Sequence, residues 1–138
     1  MNKVLFLSLI ACLALTTIVG CKKKSPEKEA VTTLNGTWEL RYLAGIQVPD
    51  VDPNFKAGNG NVFKFDGQHY DRIIDGKTVS SGTYTISLHK TPVNNTESNY
   101  SLVFDNDTKL LINLSKNKLV VFDGVIAADG TESTYEKL

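Results

Sequence analysis

The side chains best suited to acid–base or nucleophilic chemistry are few in this chain and lie far apart. His69 and His89 fall on separate predicted elements and match no metal-ligand spacing. Asp50 and Asp52 lie in a loop that lacks the pattern of a calcium site, and Ser80-Ser81-Gly82 lacks the flanking glycine of a nucleophile elbow. The pattern therefore favours a protein that is not an enzyme. An enzyme would require a cleft that gathers two or more of the following side chains: His69, His89, Asp66, Asp71 and Glu39.

Thiols and net charge exclude further classes of function. Both cysteines, Cys12 and Cys21, lie in the first 21 of 138 residues. The rest of the chain therefore offers no thiol for a disulfide, a zinc site or a nucleophile. Lys plus Arg and Asp plus Glu number 15 each, so no net field attracts nucleic acid. We expect no metal, no cofactor and no nucleic-acid partner.

Residues 1–20 have the layout of a signal peptide. They begin with Met1-Asn2-Lys3 and continue as an apolar run over 4–19 that only three hydroxyl residues interrupt. A permanent membrane helix is the alternative, but it needs about 20 apolar residues and this run is shorter. The segment therefore predicts export.

The signal segment ends in Ile18-Val19-Gly20-Cys21. These residues resemble the lipobox of bacterial lipoproteins, in which a peptidase cuts before the cysteine and the cysteine is then lipidated. The resemblance implies that Cys21 is the lipidation site and that its acyl chains hold the protein on a membrane. The alternative, a small buried cysteine, would require Lys22, Lys23 and Lys24 to be buried beside it.

The residues after Cys21 predict a tether and a location. Residues 22–33 are almost free of apolar side chains and contain Pro26, so we expect a flexible tether over 21–33. Lys22 in place of aspartate resembles the sorting signal for the outer membrane, and no acidic run follows that would resemble a surface-export signal. We therefore expect a lipid-anchored protein of the bacterial cell envelope, on the outer membrane and facing the periplasm.

From Leu34 onwards, short runs of alternating apolar and polar residues are separated by turn residues, which is typical of strands. Asp66-Gly67 and Asp75-Gly76 each predict a hairpin. The first strand, 36–43, places Trp38, Leu40 and Tyr42 on one face. The other predicted strands are 61–66, 69–74, 78–88, 99–105, 109–114, 118–122 and 132–138, with long loops at 44–59, which could form a lid, and at 89–98.

Two of these strands, 109–114 and 118–122, are apolar on both faces and should be the most buried part of the sheet. The last strand should pair with the first. About eight antiparallel strands joined mostly by short turns predict an all-β fold, an antiparallel up-and-down β-barrel. A two-sheet sandwich is the alternative.

Four segments follow one another in a distinctive order: Gly36-Thr37-Trp38, then residues 62–67, 81–86 and 135–138. In this order they resemble the lipocalin superfamily, and more closely the small lipocalin-like lipoproteins of Bacteroidetes. The resemblance implies a lipocalin-like barrel domain over 34–138. Lipocalins usually carry a helix after the barrel and an arginine that packs over the tryptophan. This chain shows no such helix, and only Lys137 could take the place of that arginine.

A barrel of about eight strands is either filled by side chains or holds one small ligand. The candidate ligand-lining residues are Trp38, Leu40, Tyr42, Phe63, Phe65, Tyr84, Tyr100 and Phe104, with Tyr70 in the same aromatic set. Buried tyrosines need a hydrogen-bond partner, which favours a pocket. We expect an envelope protein that binds a small apolar or amphipathic ligand. A filled barrel that acts as a structural or protein-interaction module is the alternative.

Overall fold

The structure, a computed structural model, describes residues 25–138. The predicted signal peptide and Cys21 lie outside this range. One helix, eight strands and a short 3-10 turn (Ile126–Ala128) follow in the order α1 (Pro26–Leu34), β1 (Gly36–Ala44), β2 (Val62–Asp66), β3 (His69–Ile74), β4 (Lys77–Val93), β5 (Thr96–Phe104), β6 (Lys109–Leu114), β7 (Lys118–Asp123) and β8 (Thr131–Lys137).

The strands form one closed antiparallel barrel in which each strand pairs with its neighbours in sequence and β8 pairs with β1. Trp38 lies opposite Phe63 of β2 on one side and Lys137 of β8 on the other. The predicted up-and-down barrel is confirmed, and the sandwich is excluded. Residues 25–138 form a closed barrel around a buried core, so this segment is expected to fold by itself.

Both Asp-Gly pairs lie at hairpins, but only Asp75-Gly76 occupies the two turn positions, because the other hairpin turns at Gly67 and Gln68. Asp75 and Gly76 have φ angles of 49° and 75°, which is the left-handed region that aspartate and especially glycine tolerate. The β2–β3 hairpin pairs Asp66 with His69 around Gly67 and Gln68. Local turn chemistry therefore sets the register that places Phe63 opposite Arg72 and Phe65 opposite Tyr70.

The predicted alternation of β1 was wrong in its second half. The pairing of β1 with β8 shifts between Leu40 and Tyr42, so that Tyr42 faces Thr134 and Leu43 faces Ser133. The extra residue reverses the faces of the strand after Leu40. Tyr42 consequently lies on the outside, 39% exposed, and is not a ligand-lining residue.

The prediction of a flexible tether over 21–33 was wrong from Pro26 onwards, because Pro26–Leu34 is helical. Ser25 caps this helix by accepting a hydrogen bond from the Lys28 amide at 3.3 Å, and Pro26 opens it. Ala30 and Leu34 are four residues apart, so they share one face of α1, and both are buried. The helix folds because this short apolar face packs against the barrel. The mostly polar composition of the segment gave no sign of this packing.

The predicted loop over 89–98 was also wrong, because β4 and β5 stay paired as far as Val93 and Thr96. The pairing shifts between Leu88 and Thr91. At this point the Ser98 hydroxyl donates to the carbonyls of His89 and Thr91, at 2.9 and 3.3 Å. The hydroxyl thus satisfies carbonyls that the sheet leaves unpaired.

The hairpin end beyond this shift, residues 89–98, forms a strap on the outside of the barrel. Val93 of the strap forms a second buried cluster with Val120 and Phe122, against which Leu111 packs. The Asn113 amide donates to the Glu97 carbonyl at 2.6 Å. The strap explains why β6 and β7 are apolar on both faces: one face lines the barrel interior and the other lies under the strap.

Candidate ligand-binding site at the open end of the barrel

One end of the barrel is closed by α1. Trp38 is fully buried, and its indole Nε1 donates to the Leu34 carbonyl at 2.6 Å. The Lys137 ammonium lies 5.1 Å from the centre of the indole ring and donates to the Thr33 carbonyl at 2.7 Å. Lys137 therefore contacts both the indole and the end of α1. We call this the closed end.

The middle of the barrel is filled by aromatic rings. Phe63 stacks on Phe65 with ring centres 5.4 Å apart, and Tyr135 meets Phe63 edge-on at 5.5 Å. Tyr70 meets Phe104 edge-on at 4.5 Å. These contacts are the offset and edge geometries that aromatic rings prefer. The described interior is therefore packed from the closed end up to this aromatic layer.

Above the aromatic layer the barrel opens, and two hollows of about 300 and 270 Å³ lie there. Arg72 lines both of them. The first hollow is also lined by Phe63, Tyr70, Val79, Ser80, Phe104, Asn106, Thr108 and Leu110. The second is also lined by Leu40, Leu43, Phe55, Asn61, Val62, Ile73, Ile74, Thr131, Ser133 and Tyr135. Both hollows are thus mainly apolar with a few hydroxyl and amide groups, as ligand sites usually are.

Arg72 points into the barrel because it pairs with Phe63 on β2 and with Ser80 on β4, whose side chains line the first hollow. Its guanidinium carbon lies 5.5 Å from the centre of the Phe63 ring, within the range of a cation–π contact. The residue is nevertheless exposed, because it stands at the open end, between the two hollows.

Tyr135 lies on the floor of the second hollow. Burial raises the pKa of its phenol, while the charge of Arg72 and a hydrogen bond with Ser133 lower the same pKa by a smaller amount. Tyr135 is therefore a neutral phenol near neutral pH. Its hydroxyl and that of Ser133 offer neutral hydrogen-bonding groups at the open end.

The long loop between β1 and β2 forms part of the barrel wall. The Leu43 amide donates to the Pro53 carbonyl at 2.9 Å, and the Phe55 amide donates to the Arg41 carbonyl at 2.8 Å. The pairing of β1 with β2 ends at Glu39. Beyond that point, these hydrogen bonds hold the loop beside β1 in the place of β2. Phe55 packs against the main core and lines the second hollow. The part of the loop around Phe55, which the sequence suggested as a lid, is therefore part of the barrel wall.

The structure brings three of the eight predicted lining residues to the open end: Phe63 and Phe104 in the first hollow and Leu40 in the second. Trp38 and Phe65 are buried in the core. Tyr84 and Tyr100 line two separate pockets beside α1 at the closed end, of about 290 and 400 Å³, and Tyr42 lies outside. For most of the aromatic set, packing in the core is the observed role.

Sequence reasoning missed Arg72, Tyr135 and Phe55 as candidates. The signal for Arg72 was present, since the Asp66-Gly67 hairpin places it on the face of Tyr70 and opposite Phe63. An arginine on an otherwise apolar face is the feature that could have been recognised. Phe55 had no such signal, because its position depends on hydrogen bonds between a loop and β1 that no local pattern predicts.

Of the side chains considered for catalysis, Asp66 and His69 are cross-strand partners beside the β2–β3 turn, but both are exposed and neither lines any of the described pockets. Residues 25–138 contain no group of three or more His, Asp or Glu side chains placed to hold a metal ion. Glu39 is buried, but it forms an ion pair with Arg41, which also bonds Glu136 at 3.2 Å. The hydrogen bond from Arg41, with further ones from the Gly58 and Asn59 amides, holds the pKa of Glu39 below its usual range although burial opposes this. Glu39 therefore has a structural role.

A larger groove of about 710 Å³ lies outside the barrel, near the ends of β7 and β8. Its lining is mostly polar and charged, with Lys118, Glu136 and Lys137 among its residues. It lacks the apolar floor that the open end has, and we regard it as surface.

No family model, curated protein or solved structure matches this chain. Within residues 25–138, none of the helices is both long enough and apolar enough to cross a membrane.

Proposed function

We propose that this barrel binds a small amphipathic molecule at its open end, and that the protein is held on the membrane of a bacterial envelope through a lipid on Cys21. The observation that carries the binding proposal is the aromatic floor of Phe63, Tyr70, Phe104 and Tyr135, above which the barrel interior is left unfilled. Ligand sites typically have volumes of about 300 to 1,000 Å³ and are mainly apolar. The two hollows together fall within that range.

Binding can be tested with N-phenyl-1-naphthylamine, an uncharged probe that fluoresces in apolar surroundings. We expect saturable binding to residues 25–138. Ser80 lines the first hollow, so Ser80→Phe should fill it and weaken binding at least about fivefold. Ser81 is exposed and pairs with Asp71, on the outer face of the same strand. Ser81→Phe is therefore the matched control and should change the affinity less than twofold. Equal effects of the two variants, or no binding at all, would contradict the proposal.

The anchor proposal is supported by Cys21 lying directly after the apolar run. Because α1 begins at Pro26, the four residue steps from Cys21 to Ser25 span at most about 14 Å. The closed end, which α1 covers, would then lie against the membrane and the open end would face away from it. Cys21→Ser should abolish labelling by a radioactive or clickable fatty acid, whereas Cys12→Ser should leave the labelling unchanged. Normal labelling of the Cys21 variant would refute the anchor.

A second candidate function, docking on another envelope protein, is favoured by the apolar side chains exposed near the open end. Val48, Val51 and Val125 are 61%, 47% and 50% exposed. In this case a double Val48→Asp, Val51→Asp variant would lose its partner in crosslinking experiments on intact cells and would keep its affinity for the uncharged probe. If the Ser80→Phe variant loses probe binding but keeps its crosslinked partner, the result would instead support the ligand-binding proposal.

A further inference from the structure

The lining of the open end contains a single charged side chain. Arg72 is the one ionised group among the residues around both hollows, and no carboxylate lines either of them. The chain as a whole carries equal numbers of acidic and basic residues, 15 each. The lining of the two hollows therefore carries a positive charge, although the protein has no net charge.

The partners of the two arginines in the described chain differ sharply. Arg41, on the outer face of the barrel, forms ion pairs with Glu39 and Glu136. Arg72 has no ion pair within residues 25–138, and its described partner is the face of the Phe63 ring. A guanidinium carries five N–H donors in a planar fork that matches an anionic oxygen pair. Arg72 thus lines a site that supplies no anion of its own.

The groups that line the two hollows together with Arg72 are neutral. They include the ring of Phe63 on β2, the hydroxyl of Ser80 on β4, the phenol of Tyr135 and the hydroxyl of Ser133 on β8, and the side chains of Asn106 and Thr108 in the turn after β5. Several of them can donate a hydrogen bond to an anion. The floor beneath them is apolar, so one molecule can contact both parts of the site.

We propose that Arg72 binds the acid group of the ligand, and that the ligand is accordingly an amphipathic anion whose apolar part lies on Phe63, Tyr70 and Phe104. This inference rests on the proposed function, since it specifies the chemical class of the same ligand. A carboxylate, a sulfonate and a phosphate ester share the required chemistry: a compact anionic oxygen group at one end of an apolar body.

A pair of fluorescent probes that differ in one charge tests this. 1-Anilinonaphthalene-8-sulfonate has the ring system of N-phenyl-1-naphthylamine with a sulfonate added. With residues 25–138, Arg72→Met should weaken binding of the sulfonate at least about tenfold, which is the typical effect of losing a hydrogen bond to a charged group. The same variant should change binding of the uncharged probe less than threefold. Arg72→Lys, which keeps the charge, should restore part of the affinity for the sulfonate.

Lys64→Met is the matched control, because Lys64 is an exposed cation on the outer face of β2, next to Phe63. It removes the same charge from the protein and should leave both affinities unchanged. If Arg72→Met weakens both probes equally, or neither, or if Lys64→Met weakens the sulfonate as much, the inference about the acid group is wrong and the proposed binding site stands. If the wild-type segment binds neither probe, the proposed function fails.

Discussion

The indole nitrogen of Trp38, the second residue after the glycine that opens β1, donates a hydrogen bond to the carbonyl of Leu34, the last residue of α1. The last carbonyls of a helix have no partner within the helix. Trp38 satisfies one of them from inside the barrel, and Lys137 satisfies the carbonyl of Thr33. Helix and barrel are therefore joined at the closed end by side chains from the first and the last strand.

Removing the indole should destabilise the barrel strongly. Because Trp38 is fully buried, we expect Trp38→Ala to lower the free energy of unfolding by about 3 to 5 kcal/mol. Trp38→Phe keeps much of the apolar volume but leaves the Leu34 carbonyl without its donor, and should cost about 1 to 3 kcal/mol. Urea unfolding followed by circular dichroism measures both changes. A loss below about 1 kcal/mol for the alanine variant would mean that the indole does not hold this end closed.

Lys137 should matter for α1 more than other lysines do. Its ammonium contacts both the indole ring and the end of the helix, where a positive charge is favourable. We expect Lys137→Met to cost about 1 to 2 kcal/mol and to speed hydrogen exchange of the α1 amides. Lys118 is exposed nearby on β7, and Lys118→Met should change stability by less than about 0.5 kcal/mol. Equal effects of the two variants would argue against a capping role for Lys137.

The strap should contribute through its buried valine. Val93 is 6% exposed and packs on Val120 and Phe122, so Val93→Ala should cost about 1 to 3 kcal/mol. Val48→Ala, at an exposed position, should cost less than about 0.5 kcal/mol. Urea unfolding compares the two variants. If Val93→Ala leaves the free energy of unfolding unchanged, the strap does not pack on β6 and β7 in solution.

The ion pair of Glu39 predicts a dependence of stability on acidity. The hydrogen bond from Arg41 lowers the pKa of Glu39, so the carboxylate contributes stability that is complete above its unfolded pKa of about 4.3 and is lost as the pH falls through the lower folded value. Glu39→Gln should cost about 1 to 3 kcal/mol at pH 7 and should weaken the dependence of stability on pH below about 4.3. Glu136→Gln, at an exposed partner, should cost less than about 1 kcal/mol. Unfolding curves between pH 2 and 7 for both variants provide the comparison, and an unchanged pH profile for Glu39→Gln would contradict it.

Tyr84 predicts a loss of stability at alkaline pH. Burial raises the pKa of Tyr84 to about 12, and its hydroxyl donates to the Gly67 carbonyl at 2.7 Å. Since the folded state favours the neutral phenol, its contribution is complete below the unfolded pKa of about 10 and is lost as the pH rises through about 12. We expect Tyr84→Phe to reduce the loss between pH 10 and 12 by roughly 2 kcal/mol. Titration at 295 nm, taken as the difference between the wild type and Tyr84→Phe, follows this phenol, and ionisation of Tyr84 near pH 10 would contradict its burial.

Several parts of the fold could be predicted because the signals are local. The alternation in residues 62–66, the turns at Gly67 and Gly76, and the bounds of β3 and β6 depend on residues only a few positions apart. Phe63 and Phe65 lie two residues apart on β2, and this alternation correctly assigned both to the barrel interior. The two apolar faces of β6 and β7 correctly predicted deep burial, although the sequence did not show that the strap covers the outer face.

The failures share a physical cause, which is dependence on contacts distant in sequence. Tyr42 was assigned to the wrong face because one extra residue opposite β8 reverses the strand, and nothing near Tyr42 marks that shift. Residues 26–33 looked like part of a tether because two buried side chains, Ala30 and Leu34, are too few to mark a helical face until the barrel covers them. The strap escaped prediction because its polar sequence resembles that of a loop.

The sequence by itself determined that this domain is a ring of about eight antiparallel strands beginning near its only tryptophan, since side-chain periodicity and turn residues act over a few positions. Only the tertiary structure decided where the interior stops being filled. That depends on which rings from β2, β3, β5 and β8 meet at one level, and on the register that brings Arg72 to the open end above them. A cation's surroundings are set by its neighbours in space, which is why an arginine in an ordinary strand pattern became the centre of the candidate site.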